Sequence, residues 1–213
     1  MVRVSAILLA AGESKRMGAN KLSLPWGRKT VLEQCLSVLL SSEVGEVWVV
    51  LSKQTWEPGQ RLRGPRVKLV HNPQSRKGMS TSIRKGIQAM SQKSGAFLIA
   101  LADQPLLNAK TINALIRAYV EKKGTIIVPI FRGKRGHPVL FARRYEKELL
   151  KLKKDVGARS LLERHDKDVY EVNSKSKGVI VDIDTWEEYL RRIKPFSKKR
   201  IPGPKVFAIP PEG

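Results

Sequence analysis

The stretch Val2-Arg3-Val4-Ser5-Ala6-Ile7-Leu8-Leu9-Ala10-Ala11-Gly12-Glu13-Ser14-Lys15-Arg16-Met17-Gly18-Ala19-Asn20-Lys21 passes from an apolar run into small residues and then into a Gly-rich, basic loop. A short apolar run that ends at Gly12 predicts a buried strand entering a tight loop. Small residues and glycines let backbone N–H groups approach an anion closely. Arg16 offers phosphate a planar fork, and Lys21 a mobile point charge. The Gly and Lys spacings match neither a Walker A loop nor a G-x-G-x-x-G fingerprint. By itself the segment is either a phosphate cradle built on Leu9, Ala10, Ala11, Gly12 and Ser14, or a basic surface loop after a strand.

Outward from this loop, strands and helices alternate. Thr30-Val31-Leu32-Glu33 has the capping-box pattern. Val31, Cys35, Val38 and Leu39, with Leu32 and Leu36 beside them, then give a helical apolar face. Glu46–Leu51 and Val67–His71 read as strands, separated by a polar, Gly/Pro-containing stretch through Gly64-Pro65. Ser80–Met90 is a predicted helix with Ile83, Ile87 and Met90 at i, i+4 and i+7. Ala96–Leu101 is a buried strand that stops at Asp103-Gln104-Pro105, and Asn108 caps the next helix, whose stripe is Ile112, Leu115, Ile116 and Tyr119. Thr125–Ile130, Val139–Phe141, Val169–Val172 and Val179–Ile183 are further expected strands. Tyr145–Leu152 and Ala158–Glu163 are expected short helices, and Asp184-Thr185-Trp186-Glu187 opens a last one that ends near Lys194-Pro195. Such alternation predicts an α/β fold with a mostly parallel sheet and helices on both faces. Ligands of such sheets bind at the carboxyl ends of the strands, where the Gly12 loop and Asp103 fall. Residues 1–194 form the expected domain, and residues 195–213 a basic, Pro-rich tail.

The 213 residues suffice for one domain with a full core. The formal net charge of +22 favours anionic partners without choosing among nucleotides, phosphorylated cofactors, nucleic acid and anionic membrane. Clusters such as Lys151, Lys153, Lys154 and Lys198, Lys199, Arg200 read as solvated surface. One cysteine, Cys35, excludes an internal disulfide and a Cys-based metal site, which fits a cytoplasmic location. It sits on an apolar face and reads as core rather than nucleophile. Nothing in the first residues has the charge and length of a signal peptide, and no apolar run approaches bilayer-spanning length, so no membrane partner is expected.

Other residues can carry chemistry. Asp103, after a buried strand, is either a Mg²⁺ ligand completed by substrate phosphates or a turn residue before Pro105. In Asp182-Ile183-Asp184, strand alternation puts both carboxylates on one side, so either can be a second ligand; Asp184 with Glu187 also fits a capping box. Asn72-Pro73 and Lys77-Gly78-Met79-Ser80-Thr81-Ser82 form a turn that presents N–H groups and hydroxyls to a base edge or phosphate, unless Ser80 or Thr81 is only a cap. Gly136-His137-Pro138 is either a turn with a structural imidazole or part of a site.

Taken in order, Leu8-Leu9-Ala10-Ala11-Gly12-x-Ser14-x-Arg16-Met17-Gly18-x-x-Lys21, Gly78-Met79-Ser80-Thr81-Ser82-Ile83, Leu101-Ala102-Asp103-Gln104-Pro105, Gly136-His137-Pro138-Val139-Leu140-Phe141, Gly157-Ala158-Arg159 and Asp182-Ile183-Asp184-Thr185 resemble the molybdenum cofactor cytidylyltransferases, the MocA-like branch of the MobA-like NTP transferases. The resemblance covers roughly Val4 to Ile193. It implies a Rossmann-like, three-layer nucleotidyltransferase fold of the nucleotide-diphospho-sugar transferase type. It implies Mg²⁺-dependent transfer of CMP from CTP, or another NTP, to a phosphorylated pterin-type acceptor, with release of pyrophosphate. Asp103, helped by Asp184 or Asp182, would hold the metal. Arg16 and Lys21 would hold the β- and γ-phosphates, which with Asp103 makes them the expected catalytic set. Leu9, Ala10, Ala11, Gly12, Ser14, Gly78, Met79, Ser80 and Ser82 would surround the nucleotide, and Gly136 and His137 the acceptor. It also implies transient contact with a molybdoenzyme or its chaperone.

The Ala10-Ala11-Gly12 form resembles the cytidylyl version of the loop; the guanylyl branch usually carries a Gly-Gly pair there. Gln74-Ser75-Arg76-Lys77 and Phe131-Arg132-Gly133-Lys134-Arg135 are more basic than the family pattern, and both point to a different anionic acceptor as an alternative. Another phosphorylated small molecule, such as a sugar, polyol or corrinoid phosphate, would fit that alternative. Nucleic-acid binding is the remaining class that the charge suggests. No zinc-finger or RRM signature accompanies it, and the basic residues coincide with the nucleotide loop.

Overall fold

The computed structural model describes residues 3–14, 16–90, 93–153 and 158–196. The expected tail, apart from its first residues, lies outside these, as do Lys15, Lys154 and Gly157. In chain order the elements are β1 (Val4–Ala10), β2 (Pro25–Trp26), β3 (Lys29–Thr30), α1 (Val31–Leu40), β4 (Val47–Leu51), α2 (Lys53–Gly59), β5 (Val67–His71), α3 (Met79–Ala89), β6 (Ala96–Leu101), α4 (Ala109–Val120), β7 (Ile126–Phe131), β8 (Lys134–Arg135), β9 (Val139–Ala142), α5 (Glu146–Leu150), α6 (Arg159–Arg164), β10 (Val169–Asn173) and α7 (Trp186–Ile193). No described helix is long and apolar enough to cross a membrane.

The main sheet runs β10-β7-β9-β6-β1-β4-β5, with β8 paired to β7. β1 is parallel to both neighbours, with Ala10 beside Leu51 of β4 and Leu9 beside Leu101 of β6. β9 runs antiparallel between β6 and β7, and the short β8 pairs antiparallel with β7. Strand alternation sorts the core into two faces. Val4, Ala6, Leu8 and Ala10 pack with Leu36 and Leu39 of α1, Ile112 and Leu115 of α4, and Tyr189 and Ile193 of α7. Ile7 packs with Ile83 and Ile87 of α3, Leu149 of α5 and Leu161 of α6. Burying a Leu or Ile side chain contributes about 1.5–3 kcal/mol, so these two layers hold the sheet between them.

The chain leaves β1 in one direction, through α1 to β4 and then β5, and returns through α3 to β6 on the other side of β1. Connections therefore diverge between β1 and β6, which opens a crevice at the carboxyl ends of those two strands.

Two segments differ from expectation. The polar stretch after Leu51 contains α2. Ser52 Oγ accepts from Thr55 N, and Ser52 N donates to Thr55 Oγ1 at 2.9 Å, a reciprocal cap with Thr where Glu or Gln is usual. Pro58 has no N–H for the Gln54 carbonyl, which accepts from Asn20 Nδ2 at 3.5 Å instead. The expected strand Val179–Ile183 is a 3₁₀ turn at Lys177–Ile180 followed by irregular chain. Its bonds are single ones, Val179 O accepting from His137 N at 2.8 Å and Ile183 N donating to Asp103 O at 3.0 Å. Val179 and Ile183 are fully buried, and that burial produces the apolar alternation without a ladder.

Candidate active site

The loop after β1 is anchored along its length. Thr55 Oγ1 donates to Ala10 O at 2.8 Å, Lys21 N donates to Ser14 Oγ at 3.2 Å, and Trp186 Nε1 of α7 donates to Met17 O at 2.9 Å. Ser14 and Gly18 adopt positive φ, which turns the loop back on itself. Asn20 Oδ1 accepts from Leu22 N and caps the 3₁₀ turn Lys21–Ser23. The backbone thereby fixes where the Lys21 side chain begins.

Lys21 Nζ lies 2.7 Å from Asp103 Oδ2 and 2.9 Å from Asp184 Oδ1, and its side chain is only 11% exposed. Arg16 reaches the other Asp184 oxygen at 3.2 Å but is 78% exposed. Burial alone would lower the pKa of Lys21, but the two carboxylates outweigh it and raise the value, so the ammonium stays charged. Among the described residues Asp103 Oδ1 is buried without a hydrogen-bond partner. Asp103 lies one residue past β6, after Ala102, whose N donates to Leu9 O at 3.1 Å. Two cations and two carboxylates thus form a neutral cluster at the β1/β6 crevice.

Strand alternation left either late aspartate as a candidate, and the two have different partners in the structure. Asp182 accepts from the buried Gln104 Nε2 at 2.7 Å, while Asp184 takes the Lys21 ammonium. Burial raises its pKa against that hydrogen bond, and the charges of Asp103 and Asp184 add to the rise. The cap of α7 is also displaced by one residue from expectation: Thr185 and Glu188 form the capping box, and the Asp184 side chain is left for the crevice. Thr185 Oγ1 reaches the N–H three positions on, which is Glu188 rather than Glu187.

Gly78 has φ +104° and caps α3 without a side-chain acceptor, so neither Ser80 nor Thr81 is the cap. Thr81 Oγ1 instead bonds back to the carbonyls of Gly78 and Gln74. The fully buried Asn72 donates to Thr81 and Ser82 and accepts from Gln74 N, which fixes the turn before the helix. An N-terminus without a side-chain cap presents N–H groups suited to an anion.

These elements enclose a cavity of about 510 Å³. Of the expected residues, Leu9, Ala11, Gly12, Ser14, Arg16, Lys21, Gly78, Met79, Ser82, Asp103 and Asp184 line it. Ala10 and Ser80 do not. Ala10 ends β1 with its side chain toward the α1 face, and Ser80 is fully buried. Glu13, Leu22, Ser75, Arg76 and Leu101 line it without having been expected. Ser75 and Arg76 stand in the basic run noted in the sequence, and Arg76 Nε lies 2.8 Å from Glu13 Oε1. Gly136 and His137 lie off this cavity, between β8 and β9. Burial lowers the pKa of His137, against the charge of Asp103, so the ring is neutral at neutral pH. Cys35 is buried on α1 and donates to Ala102 O, and burial pushes its thiol far up, as suits a core residue.

A Cβ on Gly136 would lie 2.1 Å from Val179 O, a backbone atom. Gly136→Ala is therefore expected to cost about 1–3 kcal/mol of stability. The loss should read as a lower urea midpoint with unchanged m-value.

Residues 6–169 match the model of the MobA-like NTP transferase domain. The chain belongs to this family. Purine catabolism protein PucB of Bacillus subtilis (strain 168) is 33% identical over 192 residues, covering 86% of this chain and 92% of that protein. Molybdenum cofactor cytidylyltransferase of Escherichia coli (strain K12) is 27% identical over 191 residues, covering 89% and 95%. A nucleotidyl transferase from Methanothermobacter thermautotroptrophicus superposes with a TM-score of 0.76 at 25% identity, covering 91% of this chain and 97% of that one. The resemblance read from the motifs holds, and this MobA-like NTP transferase is an enzyme of the nucleotidyltransferase kind, with the expected Rossmann-like three-layer fold.

Proposed function

We propose that the enzyme transfers CMP from CTP to the terminal phosphate of a molybdopterin-type cofactor, with Mg²⁺ bound by Asp103 and Asp184. The observation that carries this is the Lys21–Asp103–Asp184 cluster at the mouth of an anchored, Gly-containing loop. CTP is favoured by the Ala10-Ala11-Gly12 form of the loop and by the cytidylyltransferase of Escherichia coli among the relatives.

The donor set fits the metal. Among the described residues no group of three or more His, Cys, Asp or Glu side chains could hold a metal ion. Mg²⁺ does not need one, since it binds through one or two carboxylates together with substrate phosphates and water. The buried, unpartnered Asp103 Oδ1 is a further oxygen donor. When bound, the metal supplies neutralisation of charge on the phosphate oxygens.

The acceptor phosphate oxygen attacks the α-phosphorus, a new P–O bond forms, and the bond to the α–β bridging oxygen breaks. Its electron pair leaves with pyrophosphate. Lys21 and Arg16 hold the β- and γ-phosphates and stabilise the charge of that leaving group. N–H groups at the start of α3 and along the loop fix the nucleotide's orientation. The neutral His137 ring offers the acceptor a hydrogen bond rather than a charge. No covalent enzyme intermediate is required.

A second acceptor class is favoured by one observation: Arg76, from a run more basic than the family pattern, lines the cavity. A phosphorylated sugar, polyol or corrinoid would fit it. The test is pyrophosphate release with Mg²⁺, each of the four NTPs, and either molybdopterin or a polyol phosphate. Release with CTP that depends on the pterin is the expected result. Dependence on polyol phosphate instead would transfer the assignment to the second class, and silence with every NTP would end both.

A further inference from the structure

The charges of the site are already satisfied before any nucleotide arrives. Asp103 and Asp184 share one buried ammonium, at 2.7 and 2.9 Å, and the second Asp184 oxygen is taken by Arg16 at 3.2 Å. Lys21 is held there from both ends. Its backbone N–H is tied to Ser14, and its carbons are packed so closely that only 11% of the side chain is exposed. A divalent ion entering alone would have to displace a cation that is already desolvated and doubly paired. A buried ion pair that loses one partner is strongly destabilised.

We propose that Lys21 is a resident counter-cation that keeps free divalent metal out of the site until a nucleoside triphosphate draws it away. This rests on the proposed metal-dependent nucleotidyl transfer and adds an order to it. The triphosphate carries more negative charge than one divalent ion neutralises, so Lys21 and Arg16 can turn to its oxygens. That swap frees Asp103 Oδ2 and Asp184 Oδ1 together, and it adds two oxygens to the unpartnered Asp103 Oδ1. Metal and nucleotide affinities are then coupled, each raising the other by the same factor. Arg16, exposed and on one carboxylate only, contributes less to the exclusion.

The test uses Mn²⁺ as the probe, followed by electron paramagnetic resonance of the free ion and by calorimetry, with no acceptor present. The wild-type chain should bind Mn²⁺ at least about tenfold more tightly with a non-hydrolysable CTP analogue than without it. Lys21→Met, which keeps the length and removes the charge, should bind Mn²⁺ alone about tenfold or more tightly than wild type does, and Asp103→Asn added to it should abolish that gain. Lys21→Gln serves if Lys21→Met does not fold, as judged by circular dichroism. Equal Mn²⁺ affinity in wild type and the Lys21 variants would overturn the proposal, as would a gain that survives Asp103→Asn. If Mn²⁺ still binds the wild type with the analogue in that case, the metal-nucleotide reading stands and only the exclusion by Lys21 fails. If Mn²⁺ binds under neither condition, both fail.

Discussion

Asp103→Asn is expected to lower kcat by about 10³-fold while the protein remains folded. The loss corresponds to roughly 4 kcal/mol of transition-state stabilisation. The carboxylate follows β6 at the crevice and is the one group in the cluster with a buried, unpartnered oxygen. An amide of the same shape keeps the local packing but cannot neutralise a metal ion or a lysine. The fold survives because Lys21 retains Asp184 at 2.9 Å, so no buried charge is left alone. Stability should fall by only about 1–2 kcal/mol, less than the 3–5 typical when a buried pair loses its sole partner. Single-turnover pyrophosphate release gives the rate, and urea unfolding gives the stability. A variant that unfolds outright, or turns over within tenfold of wild type, would contradict this assignment.

The parts legible in the sequence were those that follow one strong local rule. β1 and its loop are an apolar run broken by small residues. β6 is an uninterrupted buried strand, and α1 begins with an ordinary capping box at Thr30 and Glu33. The parts that were not legible depend on contacts between distant segments. α2 begins with a Ser–Thr cap that sequence rules rank low, and its Pro58 is tolerated because Asn20, far along the chain, reaches the carbonyl left free. Val179–Ile183 has a strand's apolar alternation, yet its carbonyl and amide go to His137 and Asp103 rather than to a neighbouring strand. The same holds at the site. Arg16, Lys21 and Asp103 stand in recognisable motifs. The different partners of Asp182 and Asp184 depend on distant contacts: Gln104 bonds Asp182, while Thr185 caps α7 and Asp184 pairs with Lys21. Arg76 and Glu13 needed tertiary structure, since 63 positions separate them.

Lys21→Met is expected to lower kcat/KM by about 10²–10³-fold, even though the same change is expected to tighten binding of Mn²⁺ alone. The two directions follow from one geometry. In the proposed mechanism the ammonium, paired with Asp103 and Asp184 at the cavity, would compete with metal for those carboxylates without nucleotide and would turn to the leaving phosphates with it. The apolar chain removes the competition and the leaving-group contact together, so metal occupancy rises while turnover falls. Arg16→Ala should behave differently. At 78% exposure its pairing is screened by solvent, and its loss should raise KM for the nucleotide about tenfold with a smaller change in kcat. The split between the two variants is the decisive readout in steady-state kinetics at saturating metal. If Lys21→Met raised only KM, Lys21 would be a ground-state phosphate contact like Arg16. If it lowered kcat with little change in KM, its work would lie in the departure of pyrophosphate, as its 11% exposure and position beside Asp103 lead one to expect.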